Sequence, residues 1–200
     1  MNKPDDPRLA ATRALALDAA MDLLREKGVL AVTHGAVSAR TGISRSTLYR
    51  HWPKLERLRN DAFMRAATSP AFAPRTNGPL RTDLAWILGN LLTALTQTPW
   101  GQIAPQVIAL AATDDEARRV INGFMQDRFA NVRDVFDAAR DRGEIGDNVP
   151  VQHLIEIAIA VPYFRKFIAG LPLDHGWLES HVDLICRLAR GGRETQEAKL

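Results

Sequence analysis

Between residues 44 and 51 the chain sets Ser44, Arg45, Ser46, Thr47, Tyr49 and His51 around a single apolar residue, Leu48. All of these polar side chains donate hydrogen bonds, so the chemistry they offer is recognition of acceptors. An arginine reads O6 and N7 of guanine with a two-pronged contact, and Thr47 offers a methyl to thymine or a hydroxyl to a base edge. Thr33, Ser44, Tyr49 and His51 suit phosphate contacts, which position a protein on a duplex without reading its sequence. Two plainer readings stand beside these. Arg45, Ser46 and Thr47 would also sit comfortably in a solvated surface turn, and Tyr49 could serve helix packing.

Such residues act together only if a scaffold holds them. Gly42 separates two short helix-forming runs, and Ser44 follows it as a good N-cap. Thr33 caps the run His34 to Thr41, in which Val37 points inward and Ser38 is small enough for a close helix crossing. Val37, Ile43 and Leu48 then form a three-point core. The run Arg45 to Arg50 is too short and too polar to be a core helix. Held by a tight turn against its neighbour, it has the form that a helix-turn-helix presents to the DNA major groove. Trp52 reads as core, and Pro53 suits the opening of the next helix, about residues 54–67.

The charge agrees with this placement. Residues 1–60 carry 11 Lys/Arg against 6 Asp/Glu, whereas residues 61–200 carry 15 against 17. A basic head on a slightly acidic body is expected to meet a polyanion through the head alone. A structural DNA binder would spread its basic residues over the whole chain. The one cysteine, Cys186, permits no intramolecular disulfide and fits a reducing cytoplasm. Met1 to Arg8 lacks the apolar run of a signal peptide. No apolar stretch reaches the ~18 residues of a membrane span, so a soluble, cytoplasmic protein is expected.

The spacing predicts helices throughout. A first helix over 8–27 carries the stripe Ala16, Ala20, Leu23 and Leu24 and stops at Gly28. After a loop from Thr68 to Pro79, helices follow at about 80–97, 101–112, 114–141, 150–169 and 175–190. Thr113 with Glu116 reads as a capping box opening the longest of them. The arm before Arg8 and the tail from Gly191 are expected to lack order. Trp86, Trp100, Phe124, Phe129 and Tyr163 could fill the core or line an apolar ligand pocket between helices. Pro162, in mid-helix, removes a backbone hydrogen bond and crowds the Ala158 carbonyl, at a cost of roughly 3 kcal/mol. Some compensation is required, and a kink that opens room beside Tyr163 is one candidate. His34, His153, His175 and His181 have no partners at metal-site spacing, so neither metal nor cofactor is expected.

The run from Thr33 to Leu58, THGAVSARTGISRSTLYRHWPKLERL, resembles the DNA-binding segment of the TetR family of bacterial transcriptional regulators. The matching positions are Thr33, Val37, Ser38, Gly42-Ile43-Ser44, Leu48-Tyr49, Trp52 and Glu56. The likeness covers about residues 8–65 and continues beyond them as a likeness of layout. VPYFRKFIAGLPLD, Val161 to Asp174, also resembles a run in the penultimate helix of part of the family. One position departs from the pattern. The family sets a lysine directly before the glutamate, but here Leu55 holds that place, so its phosphate contact falls to Lys54 or to the helix N-terminus.

The resemblance implies an all-α protein in two parts. Residues 1–60 form an N-terminal arm and a three-helix helix-turn-helix DNA-binding domain. Residues 61–200 form a helical effector-binding and dimerisation domain; its last two helices, about 150–169 and 175–190, are the best dimer candidates because they are long and apolar. The expected partners are a palindromic operator in double-stranded DNA, a small-molecule effector and a second copy of the chain. Repression relieved by the effector is the leading expectation, with ligand-dependent activation as the alternative. An enzyme on a helical bundle would need a polar cluster in the second domain, and none is visible.

Overall fold

The computed structural model describes residues 7–67 and 73–191, all of whose regular structure is helical. The expectations for the first residues, the final tail and part of the loop after residue 67 lie outside the described residues. In chain order the helices are α1 (Pro7–Lys27), α2 (His34–Thr41), α3 (Arg45–His51), α4 (Leu55–Ala67), α5 (Leu80–Gln97), α6 (Trp100–Ala111), α7 (Asp115–Asp141), α8 (Val151–Tyr163) and α9 (His175–Ala189). A 3₁₀ turn, Val29–Ala31, follows α1, and a π-helical turn, Phe164–Ile168, follows α8. By compactness the chain divides into residues 1–68 with 98–123, and residues 69–97 with 124–200. The first unit therefore takes α6 as well as the head expected over residues 1–60.

Within the first unit α1 packs on α2 and α4, and α6 packs on α4 and α1. The stripe of Ala16, Ala20, Leu23 and Leu24 is buried as its spacing predicts. Gly28 takes φ 86° and ends α1, its N–H donating to the Leu24 carbonyl at 3.1 Å. Val37, Leu48 and Trp52 are fully buried, while Ile43 is half-buried at the edge of this core. Burying a leucine of this kind contributes about 1.5–3 kcal/mol. The Trp52 indole N–H donates to Asp61 Oδ2 at 2.9 Å, and Arg13 pairs with the same oxygen at 2.6 Å. Asp61 thus ties the end of the α3 segment and α1 to α4, a role that its position in the sequence does not announce.

Within the second unit α5 packs against α8 and α9, which also pack on each other. Asp83 is buried in the first turn of α5 and accepts from the Gly78 N–H at 2.9 Å. Arg81 pairs with both Glu179 and Asp183 on α9. The long helix α7, which begins in the first unit and continues into the second, is capped by Asp114, whose Oδ1 accepts from the Ala117 N–H at 2.7 Å. This corrects the expected capping by Thr113, whose hydroxyl instead reaches back to the Leu110 carbonyl at 3.4 Å. Aspartate caps as well as threonine, and one residue later it meets the right N–H.

Pro162 lies inside α8 and is buried. The carbonyl it leaves without that helical bond belongs to Ala158, and His181 of α9 lies beside the Ala158 backbone. His181 is itself buried, its ring 4.8 Å from that of Trp177 and nearly parallel to it. Beyond Tyr163 the helix widens to i→i−5 bonding, with Ala169 N–H donating to the Phe164 carbonyl at 2.9 Å. The helix expected over 150–169 is thus α-helical to Tyr163 and π-helical to Ile168.

Candidate nucleic-acid interface

Two side-chain caps and one glycine set the head's geometry. Thr33 accepts from the Ala36 N–H at 3.0 Å and opens α2. Gly42 takes φ 75°, a left-handed conformation that a side chain would strain, and ends α2 with its N–H on the Ser38 carbonyl at 2.9 Å. Ser44 opens α3 by accepting from the Thr47 N–H at 3.2 Å, and its hydroxyl also meets those of Ser46 and Thr47. These local rules fix the turn between α2 and α3. The bidentate pair of Arg40 with Glu26, at 2.9 and 2.7 Å, holds α2 to α1. That hydrogen-bonded partner lowers the Glu26 pKa and raises that of Arg40.

With Leu48 and Trp52 turned inward, α3 presents Arg45, Ser46, Tyr49 and Arg50 to solvent. Thr47 is half-buried, Ser44 is exposed, and Lys54 is exposed just ahead of α4. Tyr49 is 52% exposed, and its ring stacks on that of His34 at 4.2 Å between centroids. His34 is buried and bonds the Trp52 carbonyl through Nε2 at 2.7 Å. The histidine thereby clasps α2 to the C-terminal end of α3. Packing and exposure are both true of Tyr49, which keeps its hydroxyl end available while its ring is braced. His51 is placed otherwise. Its Nε2 is buried and has no hydrogen-bond partner among the described residues, so that atom does not face outward for a phosphate contact.

The aromatic residues expected at a ligand pocket are divided between the two units. Trp100 belongs to the first unit, where it is buried with its ring 5.1 Å from that of Phe63; there it serves the core. Trp86 is in the second unit, with the Arg75 guanidinium 3.3 Å from its ring centre. Phe124 lies under the Arg128 guanidinium at 4.7 Å, with Tyr163 as another electrostatic neighbour of that arginine. Arg128 is only 7% exposed, and burial lowers its pKa. Its spacing of four from Phe124 puts it on the apolar face of α7, a signal present in the sequence. Phe129 is half-buried on the same helix, and Tyr163 meets Phe167 at 5.8 Å.

A cleft of ≈ 670 Å³ opens elsewhere in the second unit, lined by Leu80, Glu144, Cys186, Leu188 and Arg190 among others. None of the expected pocket aromatics lines it. Burial pushes the Cys186 thiol up, which makes it a packing residue rather than a nucleophile. Among the described residues no cluster of His, Cys, Asp or Glu could hold a metal ion, and no helix is long and apolar enough to cross a membrane.

Comparison with known proteins bears on both units. Residues 16–61 match the domain described as bacterial regulatory proteins, tetR family, and residues 74–185 match the tetracyclin repressor-like C-terminal domain. The chain is 26% identical over 195 residues to the HTH-type transcriptional regulator YdeS of Bacillus subtilis, a match that covers 97% of this chain and 96% of that one. Among solved structures it is similar to the TetR family transcription regulator SCO0332, at 28% identity and a TM-score of 0.68 over 88% of this chain and 96% of that one. A transcriptional regulator from Saccharomonospora viridis in complex with choline shares the fold, at 15% identity and a TM-score of 0.66 over 89% and 96% of the two chains.

Proposed function

Because this chain belongs to the TetR family of bacterial transcriptional regulators, we propose that it binds a palindromic operator as a homodimer and represses until a small molecule releases it. The observation that carries this reading is the division of α3 into two faces. Leu48 is fully buried, while Arg45, Ser46 and Tyr49 stand exposed on a helix whose turn is fixed by Thr33, Gly42 and Ser44. Arg45 and Thr47 read bases in this proposal; Thr33, Ser44, Tyr49 and Lys54 hold phosphates.

A helix of this length spans few base pairs, so specificity calls for two heads about 34 Å apart. The second copy is proposed to meet α8 and α9. In support, Leu184 and Leu188 are exposed one turn apart on α9, and Phe164 and Ile168 are exposed on the π-helical turn. Scattered apolar exposure is ordinary, but this much on neighbouring segments favours a partner. The effector is proposed to contact Phe124, Phe129, Tyr163 and Trp86, and it acts by shifting the population of dimers towards one with mis-spaced heads.

Mapping protected DNA upstream of the chain's own gene, with and without candidate ligands, tests the proposal. A ligand that removes protection supports release of a repressor; a ligand that is required for protection favours activation instead.

A further inference from the structure

We propose that Gly35 is a specificity-setting residue, acting through Arg45 by giving its guanidinium a seat on α2; the inference rests on the proposed role of Arg45 in reading bases. Gly35 lies in the first turn of α2 and is not among the glycines with positive φ, which are Gly28, Gly42, Gly143, Gly170 and Gly191. Its backbone is therefore open to any L-residue, and nothing in the turn requires a glycine. Helix propensity argues against one, since glycine is the weakest helix former after proline.

The space around it supplies a reason. A Cβ at residue 35 would lie 3.2 Å from Arg45 Nη2, 3.5 Å from Cζ and 3.7 Å from Nε. The flat guanidinium thus lies along the bare backbone of α2. Arg45 is exposed at the first position of α3, where an unsupported arginine would sample many rotamers. A side chain of that length forfeits considerable freedom when it is fixed on a ligand, and a seat in the free protein removes part of that loss before binding. The neighbouring residue repeats the logic, because His34 braces Tyr49 by stacking at 4.2 Å. Two successive residues of α2 thereby hold two of the outward side chains of α3, Arg45 and Tyr49. Gly35 itself touches no DNA; it is a positioning residue.

The test uses the full-length protein and an operator selected from a random duplex library by the wild-type chain. Gly35→Ala should lower operator affinity by about two- to tenfold, the range expected from one side chain losing its pre-organisation, and leave binding to an unrelated duplex unchanged. Its melting temperature should be equal or higher, because alanine favours the helix. In an Arg45→Ala background the same substitution should change operator affinity no further. An equal fall in that background would overturn the seat, as would a costly Arg45→Ala beside a silent Gly35→Ala. Arg45→Ala without effect on the operator would instead refute the base-reading role on which the seat depends.

Discussion

The His181 imidazole on α9 sits beside the Ala158 backbone, whose carbonyl Pro162 cannot serve from within α8. His181 Nε2 has no hydrogen-bond partner among the described residues, so Nδ1 is the nitrogen that can serve that carbonyl. A proline inside an apolar helix removes one backbone bond, and here the next helix places an imidazole beside the group left unserved. The α8–α9 contact thus sets a buried polar side chain beside a specific buried backbone group within apolar packing.

Replacing that donor should be costly. His181→Phe keeps a ring of similar shape and leaves the Ala158 carbonyl unserved, for a loss of about 1–3 kcal/mol. In a Pro162→Ala background, the backbone N–H restored at position 162 can reach the same carbonyl. Urea denaturation of the four proteins should therefore show the His181→Phe cost shrinking in that background. A cost of equal size in both would show that the ring matters for packing alone.

The same residue predicts a pH dependence. Burial holds the His181 imidazole below its ordinary value of 6.5, although the bond to Ala158 acts the other way. As pH falls, the unfolded chain takes up this proton before the folded one does. The stability owed to neutral His181 is therefore complete above about 6.5 and declines as pH drops from there towards the folded value. Urea midpoints between about pH 7 and pH 5 should fall more steeply for the wild type than for His181→Phe. Parallel profiles would contradict this assignment.

Asp61 should matter to the head without touching DNA. Asp61→Ala removes the acceptor of the buried Trp52 N–H and the partner of Arg13, with an expected loss of about 1–3 kcal/mol. Thermal melts should register it, while operator affinity measured well below the transition stays near that of the wild type. A fall in affinity with an unchanged melt would mean that Asp61 acts on recognition directly.

Phosphate and base contacts separate by their salt and sequence dependence. Operator affinity should fall by about two decades or more between roughly 50 and 200 mM salt. Tyr49→Phe should weaken specific and unrelated duplexes alike, because its proposed contact is to phosphate. Filter binding on both duplexes measures this, and a loss confined to the operator would reassign Tyr49 to base reading.

The head is legible in the sequence because its determinants are local. Thr33, Gly42 and Ser44 act on N–H and carbonyl groups within four residues, and Val37 and Leu48 follow from helical spacing. Asp114 takes the cap expected of Thr113 because two good caps stand side by side, and only the backbone geometry chooses. Trp100 groups with the other aromatics by residue type, but its neighbour Phe63 lies 37 positions away and no spacing rule connects them. Asp61 with Arg13, and His181 with Ala158, are likewise long-range pairs. The seat of Arg45 on Gly35 is hidden for a different reason: it depends on the absence of an atom.

Protection mapping with the wild type and Arg45→Ala tests most directly whether α3 reads a two-fold operator through Arg45. The expected result is protection of a palindrome whose half-sites lie about one helical turn, or a multiple of it, apart. Arg45→Ala should cost about 1–3 kcal/mol on that site and relax the preference at one base position per half-site, with non-specific binding little changed. Failure to protect any palindrome, or an equal loss on specific and unrelated DNA, would contradict it.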